Sequence, residues 1–212
     1  MSGAYDWSWL RNDMPVIDLD IYLEMPTELA RTIEVKDGML VHCESPSPNH
    51  ISVARVIEAA LRDAARDRPS DAPCPRASGD LDMLVSEVPF GFRRPDAILY
   101  RCVEADRGRW RRKPTAADAL LVVEIVSPGT VTADCVDKRA EYAKLGIAQY
   151  WIVRMVNDDG LVSSIEQLRL TSDGRYVTER IGLRGQDPVI AVTAIDPVKV
   201  EIPWAELDLD IE

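Results

Sequence analysis

The spacing of apolar and polar positions divides the chain into recognisable elements. Residues 32–42 (TIEVKDGMLVH) read as a hairpin, two short β-rich runs around Lys36-Asp37-Gly38, with Asp-Gly supplying the turn. Residues 43–49 are a Ser/Pro loop. From His50 the period becomes helical: Ile51, Ala54, Ile57, Leu61 and Ala64 form one stripe over 50–68, with Arg55, Arg62, Asp63 and Arg66 on the other sides. Residues 69–79 carry prolines and read as a linker. Alternation over 80–88 predicts a strand, and 94–100 a second one that begins through Pro95. The unbroken apolar run ALLVVEIV over 119–126 has the character of a sheet centre. Residues 134–145 predict a helix stopped at Gly146, a natural C′ residue. Strands follow at 149–155, 164–170, 176–181, 189–191 and 198–202, with Asp173-Gly174 as a hairpin turn. This order predicts an α/β (α+β) fold, a mixed central β-sheet flanked by helices, with extra antiparallel strands at the C-terminus.

Composition adds a single globular assembly and an uneven charge. The chain has 212 residues, 46% hydrophobic and 29% charged, with a formal net charge of −11. Such acidity argues against coating a polyanion by bulk charge. The acid is unevenly spread, however. Residues 1–48 hold nine acids and three bases, residues 201–212 five acids and no base, and 49–200 balance. The expected organisation is an acidic arm (1–26), a main domain (27–170), and C-terminal strands with an acidic tail (171–212) that extend it. No apolar run approaches the ~20 residues of a membrane helix, and the first twenty residues lack the basic start and apolar core of a secretory leader. Cys43, Cys74, Cys102 and Cys135 form no CxxC pair. With only His42 and His50 beside them, they are expected to be reduced thiols of a cytoplasmic protein rather than zinc ligands.

Four features stand out chemically. Glu124 sits in the middle of an apolar strand, where a carboxylate must be paired, protonated or metal-bound. A structural salt bridge and a functional role are equally open for it. Leu120, Val122 and Glu124 share one face of that strand. Asp96 follows Pro95 and shares a face with Ile98 and Tyr100. If the two strands pair ~4.8 Å apart, two carboxylates meet and need a cation between them, and oxygen ligation suits Mg²⁺ or Mn²⁺. Asp134, Lys138 and Tyr142 are spaced by four on one helix face. A surface Asp–Lys pair with a packing tyrosine accounts for this spacing, and so does a lysine aimed at the carboxylates to assist a water. Residues 93–113 carry eight bases against three acids and include Trp110. The run reads either as a solvated linker or as a phosphate-tracking surface through Arg94, Arg109, Arg111, Arg112 and Lys113, with Trp110 stacking on a base.

Taken in order, Arg94-Pro95-Asp96, Val123-Glu124-Ile125-Val126-Ser127-Pro128 and Asp134-x-x-x-Lys138-x-x-x-Tyr142-x-x-x-Gly146-Ile147-x-x-Tyr150-Trp151-Ile152-Val153 resemble the Uma-two family. That family belongs to the restriction-endonuclease-like, PD-(D/E)xK superfamily. The likeness begins near Thr27, takes in Glu34-x-x-Asp37-Gly38 and the loop before His50, and runs to about Leu170. It implies a restriction-endonuclease-like core and metal-dependent cleavage of DNA. Asp96 and Glu124 would bind Mg²⁺ or Mn²⁺, with the Ile125 carbonyl as a further ligand and Lys138 as the active-site lysine. The superfamily usually has its lysine where this chain has Val126. Glu34 and His50 match further family positions and could complete the site, though His50 at a helix start could equally be a cap. Gln149 and Arg154 stand where the family often has Glu and Asp. Family members are often homodimers, which makes the C-terminal strands a candidate dimer edge. The alternatives are a catalytically inactive binding module that kept the fold, and a nuclease acting on RNA or single strands.

Overall fold

Two hairpin turns and one long apolar strand organise the observed architecture. The computed structural model describes residues 16–43, 45–67, 74–103, 106–127, 133–186, 189–195 and 198–208, with backbone alone for 133–135, 189–195 and 198. The first elements are α1 (Leu19–Glu24), α2 (Thr27–Ala30), β1 (Ile33–Lys36), β2 (Met39–His42) and α3 (Pro48–Arg66). Strands β3 (Pro75–Gly79), β4 (Met83–Glu87), β5 (Phe90–Arg93), β6 (Ala97–Arg101) and β7 (Ala119–Val126) follow. The rest comprises α4 (Ala133–Lys144), β8 (Gln149–Met155), β9 (Val162–Leu170), β10 (Tyr176–Leu183), β11 (Val189–Ile195) and β12 (Val198–Pro203).

These elements fall into two compact units. The smaller takes the described residues up to Ser45 together with Leu84–Arg93. Its antiparallel sheet runs β2-β1-β5-β4. The expected hairpin is β1–β2, with Asp37 and Gly38 both at positive φ. This is the conformation that Asp and Gly tolerate best. Tyr22, Phe90 and Phe92 pack against one another there, with ring centroids 4.7–5.9 Å apart. Glu34 and Arg93 form a buried ion pair at 2.9 Å.

The larger unit is built on the mixed sheet β10-β9-β8-β7-β6-β3, in which only β7 and β8 run parallel. The parallel pair needs a crossover, and α4 provides it. One face buries Leu121, Val123, Ile125, Trp151 and Val153 against α3, Val200, Ile202 and Trp204. The other buries Ile98, Val122, Val126 and Ile152 with Tyr142 and Ile147 from the α4 segment. Strand parity in β7 is as expected from Leu121 onward, with Glu124 on the α4 side, whereas Leu120 beside the β-bulge joins Leu121 and Val123 rather than Val122.

Several expectations change. The stripe of α3 is Val53, Ile57, Leu61 and Ala65, a strict i+4 row, whereas Ile51 is exposed. The proline-bearing linker contains β3, an edge strand that starts on Pro75, where a missing N–H costs no ladder bond. Strand β5 lay hidden between two expected strands. Cys74 and Cys102, at the ends of β3 and β6, form a disulfide rather than two reduced thiols. Cys43 is in no disulfide among the described residues, and the side chain of Cys135 lies outside them. The acidic tail contributes to the larger unit through Leu207 and Asp208. Leu207 is buried, Asp208 is held by both Arg184 guanidinium nitrogens at 2.7 Å, and only 209–212 lie outside the described residues. Among the described residues no helix is long and apolar enough to cross a membrane.

Asp118 ties the start of β7 to the loop before it. Its carboxylate accepts from Arg107 at 2.5 and 2.9 Å and from the Thr115 amide and hydroxyl at 2.7 and 2.8 Å. Burial alone would raise its pKa, but the Arg107 hydrogen bond, the Thr115 bonds and the Arg107 charge hold it at about 2, below the ordinary 3.8. The native state therefore binds this proton less readily than the unfolded chain. The resulting stability is fully present above about pH 4 and is lost as the pH falls toward 2. In urea titrations, the stability gap between wild type and Asp118→Asn should narrow steadily over that window. A gap independent of pH would refute this account.

Candidate metal and phosphodiester site

The four chemistry-bearing residues of the larger unit converge for separate local reasons. Antiparallel pairing of β6 and β7 matches Ala97 with Val123, so one step further sets Asp96 opposite Glu124. Asp96 Oδ2 accepts the Ile125 amide at 2.6 Å, which fixes the carboxylate at the strand end. Ile125 thus meets Asp96 through its N–H, while its side chain packs on the far face of the sheet.

His50 arrives from α3. Ser47 is the N-cap, accepting from the His50 amide at 3.2 Å, and Pro48 fills the first turn, where its missing N–H does no harm. The cap is therefore Ser47, and the His50 ring is left to face Asp96, Nε2 to Oδ1 at 2.8 Å. The turn after β8 anchors this helix end. Ser47 Oγ donates to the Asp158 carbonyl, and Asn49 Nδ2 donates to the Asp159 carbonyl at 2.6 Å. Burial opposes protonation of His50, but the Asp96 hydrogen bond and the charges of Asp96 and Glu124 outweigh burial and Lys138. Its pKa is raised above 6.5.

Lys138 and Tyr142 arrive from α4, one helical turn apart. Lys138 Nζ donates to Glu124 Oε2 at 2.9 Å and the Tyr142 hydroxyl donates to Oε1 at 2.6 Å. Glu124 is only 6% exposed, so these donors satisfy a carboxylate that could not stay charged alone. The spacing of four set this up, and it was legible; that Tyr142 reaches the carboxylate was not. Asp134 is the third member of that spacing, and its side chain lies outside the described residues. Glu34 lies in the smaller unit, paired with Arg93.

The donor chemistry suits a hard divalent cation, since the two opposed carboxylates of Asp96 and Glu124 offer oxygen alone. Asp96 is partly open, its side chain 23% exposed. Among the described residues no cluster of three or more ligating side chains occurs. Any ion would therefore complete its shell with backbone oxygen, water and substrate, which is how Mg²⁺ is commonly held.

The basic run is largely committed internally. Asp82, buried, accepts from Arg94 at 2.6 and 2.7 Å and from Lys113 at 2.5 Å. Arg101 donates to the Ala117 carbonyl at 2.9 Å. Trp110 is buried, donates to the Pro114 carbonyl at 3.1 Å and lies under Lys113, so it is no platform for a base. Arg109, Arg111 and Arg112 remain exposed. Sequence reasoning missed Asp82, because its partners Arg94 and Lys113 lie 12 and 31 residues along the chain.

Comparisons agree with this fold. A crystal structure described as "a putative nuclease belonging to DUF820" from Anabaena variabilis superposes with a TM-score of 0.61 at 15% identity, covering 90% of this chain and 97% of that one. No curated protein matches the chain significantly. The family model Uma2, described as "Putative restriction endonuclease", matches residues 19–200. That span is most of the chain, and the protein therefore belongs to the Uma2 family with a restriction-endonuclease-like fold.

Proposed function

We propose that this protein is a metal-dependent endonuclease that hydrolyses phosphodiester bonds of DNA. The observation that carries the reading is the opposition of Asp96 and Glu124 across β6 and β7, with Lys138 at 2.9 Å from Glu124. Asp96 and Glu124, with the Ile125 carbonyl as a further oxygen, would hold Mg²⁺ or Mn²⁺. Such an ion, when bound, polarises a phosphoryl oxygen and lowers the pKa of water. Lys138, released from Glu124, orients the attacking water and offsets the negative charge that builds on the phosphoryl group. His50 holds Asp96 from the side opposite the Ile125 amide and keeps its carboxylate oriented. Arg109, Arg111 and Arg112 supply the exposed cations for backbone phosphates, while Arg94 and Lys113 stiffen the segment through Asp82.

A supercoiled plasmid should be nicked by the purified protein with Mg²⁺ or Mn²⁺ and left intact with EDTA. Asp96→Asn should reduce the rate by at least about 100-fold, the scale lost with an essential electrostatic group. Cleavage that is indifferent to chelation, or unchanged in Asp96→Asn, would refute the reading. One observation favours a non-catalytic binding module instead: both Glu124 oxygens already carry protein donors. A titration that detects no Mn²⁺ affinity would select that alternative. The burial of Trp110 removes the feature that favoured single strands or RNA.

A further inference from the structure

The two donors on Glu124 are chemically unlike. Lys138 is a cation on a flexible four-carbon stem, its side chain 15% exposed, and it can swing away when another cation takes its place. Tyr142 is neutral, has two side-chain torsions and is fully buried. Its ring packs edge-on to Tyr150, with centroids 5.3 Å apart at 76°. That packing leaves the hydroxyl a single direction, toward Glu124 Oε1 at 2.6 Å. Both residues stand on α4, so one rigid helix carries the movable donor and the fixed one.

We infer that Tyr142 is the positioning residue of the metal site. Its hydroxyl pins Oε1 and the plane of the Glu124 carboxylate, and Oε2 is the oxygen that exchanges Lys138 for a divalent cation. This rests on the metal-site reading above. A carboxylate pinned at one oxygen presents the other in a fixed direction, and loss of such an outer partner typically costs 10–100-fold in metal affinity. The hydroxyl would serve no such purpose if Tyr142 were only core filler, because the ring alone fills the space.

Calorimetric titration of the full-length protein with Mn²⁺ tests this. The substitution Tyr142→Phe removes one oxygen and keeps the ring. It should raise the Mn²⁺ dissociation constant by about 10-fold or more. Tyr150→Phe, which takes a hydroxyl from the neighbouring ring, should leave that constant unchanged. In a Glu124→Gln background, Tyr142→Phe should have no further effect on residual Mn²⁺ affinity. A purely structural tyrosine would lower the thermal midpoint and leave Mn²⁺ affinity at the wild-type value, and that result overturns the inference alone. Absence of Mn²⁺ binding by the wild type overturns the metal-site reading and the inference together.

Discussion

Replacing Lys138 by Met should lower metal-dependent plasmid nicking by about 10²–10⁴-fold, the usual worth of a positioned proton-handling group, and at the same time tighten Mn²⁺ binding. The opposite signs follow from the geometry. Without metal, Lys138 neutralises a buried carboxylate at 2.9 Å, so an incoming cation must displace it. Met fills similar volume but brings no charge, so Glu124 keeps the Tyr142 hydroxyl and loses the Lys138 cation. The metal-free variant should therefore melt below the wild type and regain most of the loss when saturated with Mn²⁺, as linkage requires of a ligand bound only by the native state. Weaker Mn²⁺ binding in Lys138→Met would mean that the lysine organises the site rather than holding it closed. Undiminished nicking would remove it from the chemistry.

Arg93→Met should destabilise the protein by about 3–5 kcal/mol, the usual cost of removing one partner of a buried ion pair. Both side chains are almost fully buried, 4–5% exposed, and 2.9 Å apart. The double variant Glu34→Met, Arg93→Met should recover most of that loss, since two well-packed apolar side chains replace a buried pair at little cost. Urea unfolding of the three proteins measures this directly. A loss below about 1 kcal/mol in the single variant would show that the pair is not energetically isolated from water. The double variant also tests the family-based expectation for Glu34. Full stability and full nicking would make it purely structural, whereas full stability with no nicking would give its carboxylate a chemical part.

Much of this was legible in the chain. The Asp37-Gly38 turn, the apolar β7 and the Gly146 stop each announce themselves through local backbone chemistry, and the structure has them where the pattern puts them. Strand parity likewise set Glu124 on one face with Val122. The α3 stripe was misjudged because an alanine-rich helix offers two nearly equal apolar rows. Only packing against Trp151, Val200 and their neighbours selects Val53, Ile57, Leu61 and Ala65. Strand β3 was missed because proline and glycine read as linker wherever no partner strand is known.

The basic run teaches the same lesson about charge. Its sign was plain in the sequence, but its commitments were not, since the carboxylates that absorb Arg94, Arg107 and Lys113 lie 11–31 residues away. By itself, then, the sequence determined the elements, the two anomalous carboxylates and the helical spacing of Lys138 and Tyr142, because each depends on neighbours within a few residues. The tertiary structure alone decided that Asp96 faces Glu124, that His50 meets Asp96 and that Tyr142 and Lys138 divide the oxygens of Glu124. Those contacts join residues 14 to 46 positions apart. They exist only once β6 and β7 pair in register and the two helices cover opposite faces of their sheet.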